Sequence, residues 1–208
     1  MTRRDSESPN LDAKSPPGPL PPLAWRNPMA WVRFAIPAII GLVGDLYLKS
    51  WAFPDGVPAG AGPMASVGRS PGNQTITVIP GVLGFTTTVN QGAVFGTFQG
   101  QVPVFLGFSF VALAVILWVF STSGAKHRVV HIALGMITAG ALGNLYDRAM
   151  YHGVRDMLRF TCFVINGKDY YPYIFNIADV CLCVGVPLLI LRWLFVKDKD
   201  IAATPANA

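Results

Sequence analysis

This sequence is poor in charge. Only 13% of its 208 residues are Asp, Glu, Lys or Arg, against 52% that are hydrophobic, and the mean hydropathy is +0.44. Soluble domains carry about 25% charged residues, so an ordinary soluble domain of this size is excluded. Cysteine is sparse too. Cys162 stands apart, and Cys181 and Cys183 lie two positions apart in an apolar run. A helix turns residues at that spacing in different directions, so the pair makes a poor disulfide or metal site. None of the three has a lipobox-like context. His127, His131 and His152 are scattered and form no metal-ligand cluster, and no internal repeat is present. Small apolar core positions and interfacial imidazoles account for these residues.

What is present in quantity is long apolar runs. A helix needs about 20 apolar residues to cross the hydrocarbon core. Residues 102–120 carry no charge, and residues 129–146 carry only His131 as an ionisable group. Residues 34–48 are apolar apart from Asp45, with Trp31 and Val32 extending the run. Residues 177–196 are interrupted by Asp179 near one end and Arg192 near the other, both placed to reach an interface. The sequence predicts an all-α integral membrane protein with four transmembrane helices.

The basic residues then set the orientation. With the N-terminus in the cytoplasm, the inner side carries Arg3, Arg4, Lys14, Arg26, Arg33, Lys126, Arg128, Arg192, Lys197 and Lys199. The outer side carries Lys49, Arg69, Arg148, Arg155, Arg159 and Lys168. Ten against six favours both termini inside, and the short loop at 126–128 is the clearest vote. The net charge of +5 therefore reads as topology, and no nucleic-acid partner is expected. Residues 1–28 are polar and Pro-rich, which predicts a disordered cytoplasmic tail ahead of a membrane domain at 29–197. A second tail is expected at 198–208. Cleavage at Ala59-Gly60-Ala61 would make the first span a signal peptide, but the hydrophilic leader is long and cleavage would discard Asp45.

Two outer loops follow from this topology. In 52–101, a Gly/Pro/Ser-rich stretch precedes Thr75-Ile76-Thr77-Val78-Ile79, which alternates as a half-buried strand does. Residues 85–89 are β-branched and Thr-rich, and Asn90-Gln91-Gly92 reads as a turn. A small sheet resting on the outer surface suits this pattern. The loop 149–176, aromatic around Tyr170, Tyr171 and Tyr173, is expected beside it at the interface.

If the spans run in order, Asp45, Asp147, Asp156 and Asp179 gather at one face. Carboxylates are costly at a membrane boundary unless paired or used. Each has an ordinary explanation. Asp45 and Lys49, at i and i+4, suit an ion pair. Asn176 and Asp179 suit a helix N-cap and its dipole. Asp147 suits the headgroup level. In the third span, Gly135, Ala139 and Gly143 form a stripe for close helix approach. Beside it, Gly140, Asn144 and Arg148 form a stripe that turns polar. The combination raises a further reading: two carboxylates in a poorly solvated site share a proton and divide acid and base roles, as in aspartic proteases. Spacing does not say which two.

Five stretches together resemble the bacterial signal peptidase II family, over about residues 31–196. They are Asp45-Leu46-Tyr47-Leu48-Lys49-Ser50-Trp51, Val89-Asn90-Gln91-Gly92-Ala93-Val94-Phe95-Gly96, and Gly140-Ala141-Leu142-Gly143-Asn144-Leu145-Tyr146-Asp147-Arg148. Gly153-Val154-Arg155-Asp156-Met157 and Phe175-Asn176-Ile177-Ala178-Asp179 complete the set. The resemblance implies that Asp156 and Asp179 are the catalytic pair and Asp147 a neighbour. It implies that Asn144, Arg148 and Asn176 hold the dyad and the substrate backbone, and that Asp45 and Asn90 matter for activity or the local fold. An outer β-sheet cradle and a partly buried helix are implied within 51–101. Two stretches look longer than the family's usual ones, residues 157–178 and the loop up to Gln74.

The implied function is intramembrane aspartic endopeptidase: removal of the signal peptide from diacylglyceryl-modified prolipoproteins, cut before the lipidated cysteine. The expected partners are those prolipoproteins and membrane lipids, the expected state is a monomer, and no metal or other cofactor is needed. The expected place is the bacterial cytoplasmic (inner) membrane, with the active site near the outer face. A small ion-coupled transporter or channel subunit is the rival from another class. That rival predicts acids near the midplane and repeated halves with broken helices, whereas here the acids lie toward one face. A purely structural scaffold leaves the clustered Asn, Arg and Asp residues without purpose.

Overall fold

In the computed structural model, residues 22–58, 68–70, 75–92 and 102–195 are described. The leader to residue 21, the triplet at 59–61, the second half of the Val89–Gly96 motif and the C-terminal tail lie outside the described residues. No helix beyond the first span occurs among the described residues of 51–101, so the partly buried helix implied there is not among the observed elements.

Four helices are each long and apolar enough to cross a membrane: α1 (Pro28–Ala52), α2 (Val102–Thr122), α3 (Arg128–Tyr151) and α4 (Ile177–Phe195). Asn27 starts α1 by accepting the Ala30 N–H on its side-chain oxygen (3.1 Å), with Pro28 in the first turn. Pro37 and Pro187 sit inside α1 and α4, as prolines do in membrane helices more often than in soluble ones. The spans are those the apolar runs predict, with α1 and α3 running on past their apolar ends. Asp147 and Arg148 consequently lie within the last turns of α3. His152 then ends α3 in the left-handed conformation, at φ 56°.

Helix α3 is the hub, packed against the other three. Its glycines explain how. A methyl group at Gly135 would fall on the Phe34 carbonyl of α1, and one at Gly140 on the Ala178 carbonyl of α4. The first small-residue stripe thus seats α1 and the neighbouring stripe seats α4, as close approach requires. At the opposite end from the acids, Phe34, Phe120 and Leu134 pack with Ala24. Residues 22–27, the last part of the expected tail, are tied down there. The Ala24 N–H donates to the Ser123 carbonyl and the Ala125 N–H to the Pro22 carbonyl, at 2.8 and 2.9 Å.

The sheet is antiparallel in the order β1-β2-β3-β6, from β1 (Ile76–Ile79), β2 (Leu83–Asn90), β3 (Val154–Phe160) and β6 (Ile174–Phe175). A short hairpin of β4 (Val164–Ile165) and β5 (Lys168–Asp169) projects between β3 and β6. The strands expected at 75–79 and 85–89 are present as β1 and β2. The loop 149–176 does more than lie beside them, since it supplies β3 and β6. Arg155 and Asp156 interrupt the apolar alternation of β3 and hide it from pattern reading. Both are buried, and their partners come from other segments. Ala52, Phe53, Phe85, Val89 and Met157 form the core that seats the sheet on the end of α1.

Candidate active site

The four acids predicted to gather do so, in two layers. The lower layer is an ion cluster between α1, α3 and β3. The Lys49 ammonium lies 2.7 Å from Asp45 Oδ2 and 3.1 Å from Asp147 Oδ2, and all three side chains have no solvent exposure. Asp147 also accepts the Arg155 backbone N–H at 2.9 Å, and its other oxygen takes the guanidinium at 2.8 and 3.2 Å. The second oxygen of Asp45 accepts the Ala178 N–H at 2.9 Å, satisfying an orphan donor in the first turn of α4. Two cations face two carboxylates, so the layer is neutral, which is what makes it tolerable out of water.

The upper layer holds Asp156 and Asp179. Asn176 joins them. Its amide donates to Asp156 Oδ1 at 2.7 Å and to Asn144 Oδ1 at 3.2 Å, and its own Oδ1 accepts the Asp179 N–H at 2.9 Å. Asp179 returns the bond by accepting the Asn176 N–H at 3.2 Å, the reciprocal capping arrangement at a helix start. The remaining Asp179 oxygen takes the Asn144 amide at 2.8 Å. The capping explanation for Asn176 and Asp179 is therefore correct, and it leaves one carboxylate oxygen for the partnership with Asn144. Lys49 connects the layers by donating to Asn144 Oδ1 at 3.3 Å.

Asp156 is fully enclosed while Asp179 is half-buried. Burial, and after it the adjacent Asp179 carboxylate, hold the Asp156 carboxyl well above the usual carboxylate range. Arg148 lies within electrostatic reach of Asp156, Asp179 and Asp147. Its guanidinium sits 4.7 Å from the Phe105 ring centroid and donates to the Asn144 carbonyl at 3.4 Å. Such a constellation can hold one proton between two carboxylates beside a fixed cation. Among the described residues, no group of three or more His, Cys, Asp or Glu side chains is disposed to hold a metal ion.

Of the residues singled out in the sequence, Asp45, Asn144, Arg148, Asp156, Asn176 and Asp179 converge. Asn90 stands at the margin. Its side-chain oxygen accepts the Gly92 N–H at 3.0 Å in a local turn, and its register partner is Val154, two residues along β3 from Asp156. The i, i+4 ion pair expected for Asp45 and Lys49 is present, although Lys49 lies fully enclosed and not in the outer flank. Arg155 is likewise enclosed in the ion cluster and not a flanking charge, and spacing gives no sign of this because its partner Asp147 lies across the turn after α3.

Comparison with known proteins identifies the family. The family model for signal peptidase (SPase) II matches residues 37–195. The lipoprotein signal peptidase of Symbiobacterium thermophilum is 35% identical over 127 residues, covering 61% of this chain and 80% of that protein. That of Bacillus pumilus is 38% identical over 127 residues, covering 61% and 79%. Two solved structures of bacterial membrane enzymes each superpose with a TM-score of 0.58. One is 26% identical and covers 82% of this chain and 94% of its own. The other, at 24% identity, covers 86% and 93% and speaks to the fold alone. The family model spans most of the chain and the four-helix fold is shared with solved bacterial membrane enzymes, so the chain belongs to the signal peptidase II family.

Proposed function

We propose that the protein is an aspartic endopeptidase that cuts diacylglyceryl-modified prolipoproteins immediately before the lipidated cysteine, with Asp156 and Asp179 as its catalytic pair. Family membership makes it a bacterial membrane peptidase; the catalytic type and the cut are this reading. The observation that carries it is the Asn176 bridge, which binds Asp156 through its amide and Asp179 through its carbonyl and backbone. A merely structural cap would need only the Asp179 half.

In this reading the dyad holds a single proton. The ionised carboxylate takes a proton from water as the water oxygen attacks the scissile carbonyl carbon. The protonated one gives its proton to the carbonyl oxygen. Collapse of the tetrahedral intermediate breaks the C–N bond: the leaving amine takes a proton from one carboxyl while a hydroxyl of the intermediate returns its proton to the other, which restores the singly protonated dyad. Enclosure of Asp156 favours its carrying the proton in the resting site. Asn144 and Asn176 hold the carboxylates in place, and Arg148 is placed to receive a substrate carbonyl. The site's position at the helix ends suits a substrate whose signal helix and lipid tails stay in the bilayer while water reaches the dyad.

The outer placement of this site, with both termini cytoplasmic, is supported by charge. Lys49 and Arg155 are enclosed in ion pairs, so four of the six outer flanking cations remain to oppose the ten inner ones.

The test is cleavage of a purified diacylglyceryl-modified prolipoprotein by the parent, Asp156→Asn and Asp179→Asn. Cleavage before the modified cysteine by the parent, and its loss in both folded variants, is the expected result. Parent-like cleavage by either variant removes that residue from the dyad.

A further inference from the structure

The half of the bundle away from the acids carries a groove that hydrolysis does not use. One face of α1, from Arg33 through Ile36 and Ile40 to Gly41, forms its length, at the i, i+3, i+7 and i+8 spacing of a single helix stripe. Met136 of α3 lines it beside them, and Cys181 of α4 lies at the far end, where a methyl at Gly41 would come within 2.9 Å of its sulfur. Ile36 and Ile40 are 53% and 68% exposed, so the groove opens sideways toward the bilayer. Its volume is about 530 Å³, within the range of small-molecule sites. From Arg33 to Gly41 the helix rises about 12 Å, close to the hydrocarbon depth of one leaflet. Asp45 follows one turn beyond Gly41, so the groove stops short of the ion cluster.

Charge marks one end of this groove. Arg33 is the only charged side chain that lines it, and it is half-buried. Its Nη1 donates to the Ala125 carbonyl at 3.2 Å, which fixes the guanidinium and uses one of its five N–H groups. Ala125 lies in the turn joining α2 to α3, so Lys126 and Arg128 stand at the same end. Arg26 lies just ahead of α1, 4.5 Å from the Trp25 ring centroid. Trp25 and Trp31 are 47% and 43% exposed, and the Trp31 indole donates to the Trp25 carbonyl at 3.1 Å. Exposed indoles at the start of a spanning helix mark the headgroup layer, which sets the level of Arg33. Among the described residues, every acid lies toward the opposite end of the bundle or beyond it.

We propose that this groove binds an anionic phospholipid, with the phosphate on the Arg33 guanidinium and one acyl chain laid along α1 to Gly41 and Cys181. The planar fork of arginine meets phosphate oxygens at two points. Basic pockets between membrane helices take anionic headgroups in the same way. Charge selects lipid over protein here. A second copy in the same orientation would bring these cations against their own kind, and a signal helix would bring its basic leading segment to them. A free phosphate would leave the apolar length unfilled. The proposal does not rest on the peptidase reading, and its test does not use cleavage.

The purified full chain in detergent is mixed with equal amounts of phosphatidylglycerol and phosphatidylcholine bearing identical acyl chains, and bound lipid is weighed by native mass spectrometry. The expected result is a single phosphatidylglycerol retained per chain, in several-fold preference to phosphatidylcholine. Arg33→Gln should lower that retention about tenfold, as loss of a two-point charged contact does. Arg128→Gln, at the same end but off the groove, should leave it nearly unchanged. Ile40→Trp, which fills the groove from its open side, should also lower it, and keeps the test alive should Arg33→Gln not fold. Equal retention of the two lipids, or an equal loss in Arg128→Gln, assigns binding to diffuse charge and overturns the proposal. Unchanged retention in Ile40→Trp overturns it as well. So does displacement of the lipid by glycerol phosphate, which carries the phosphate without the chains. A chain that retains no lipid also overturns it, and a dimer mass would then place a second copy on this face.

Discussion

Lys49 offers the sharpest test of how the bundle holds its acids. Lys49→Met keeps the length and bulk of the stem and removes the ammonium. Asp45 is then left with the Ala178 N–H alone, while Asp147 keeps its two-point contact with Arg155. The neutral cluster becomes a buried net negative charge. Removing one partner of a buried ion pair costs about 3–5 kcal/mol. At about 2–4 °C per kcal/mol for a chain of this length, the melting temperature should fall by about 6–20 °C. Thermal unfolding of the purified protein in detergent, followed by tryptophan fluorescence, reads the shift. Asp45→Asn in the same background sharpens the test, because the double variant leaves no orphaned charge at Asp45. Its loss should be smaller than the sum of the two single losses by about 1–3 kcal/mol. A Lys49→Met protein that melts within about 2 °C of the parent, or strict additivity in the cycle, would refute the argument that this ion cluster ties α1 to α3.

Three further outcomes are expected. Asp156 holds its proton more tightly in the folded state than in the unfolded chain. The stability it supplies is therefore complete below the unfolded value of about 3.9 and is lost as pH rises through the raised folded value. Asp156→Asn cannot ionise, so it should melt above the parent at neutral pH, converge with it near pH 4, and cleave nothing; a melting difference that does not change with pH would contradict this. Asn144→Ala removes the amide that holds Asp179 and the oxygen shared by Lys49 and Asn176. Loosening the dyad in this way should lower the cleavage rate by about 10²-fold in a protein that remains folded, and single-turnover assays giving parent-like rates would count against it. Gly143→Ala would place a methyl 2.5 Å from Asp45 Oδ2, which Lys49 holds in place, and 3.2 Å from the Ala178 methyl. It should destabilise by about 1–3 kcal/mol, as overpacking does, and unchanged unfolding would show that α1 and α4 can both retreat from α3.

The amino-acid sequence by itself determined the class, the four spans and the gathering of the acids at one end of the bundle. Those follow from one-dimensional facts: apolar run length against bilayer thickness, and the alternation of spans that returns Asp45, Asp147 and Asp179 to the same end. The motif stretches also carried the family. Asn176 and Asp179 are legible as a cap from four adjacent letters. Tertiary structure decided the rest. A buried cation looks like a flanking cation until its partners arrive from elsewhere, and so Arg155 reads as surface charge although it is enclosed, while the pairing of Lys49 with Asp45 is legible but its second partner Asp147 is not. β3 likewise reads as loop, since its Arg155 and Asp156 are acceptable in a buried strand only because Asp147 and Asn176 meet them there. The pairing of Asp156 with Asp179 is the plainest case. The two lie on a strand and a helix joined by an excursion through a hairpin, and the register of β3 with β6 brings them to one amide. Spacing along a chain cannot encode that meeting, because the distance is set by packing between segments, whereas burial cost and run length are properties of the segments themselves.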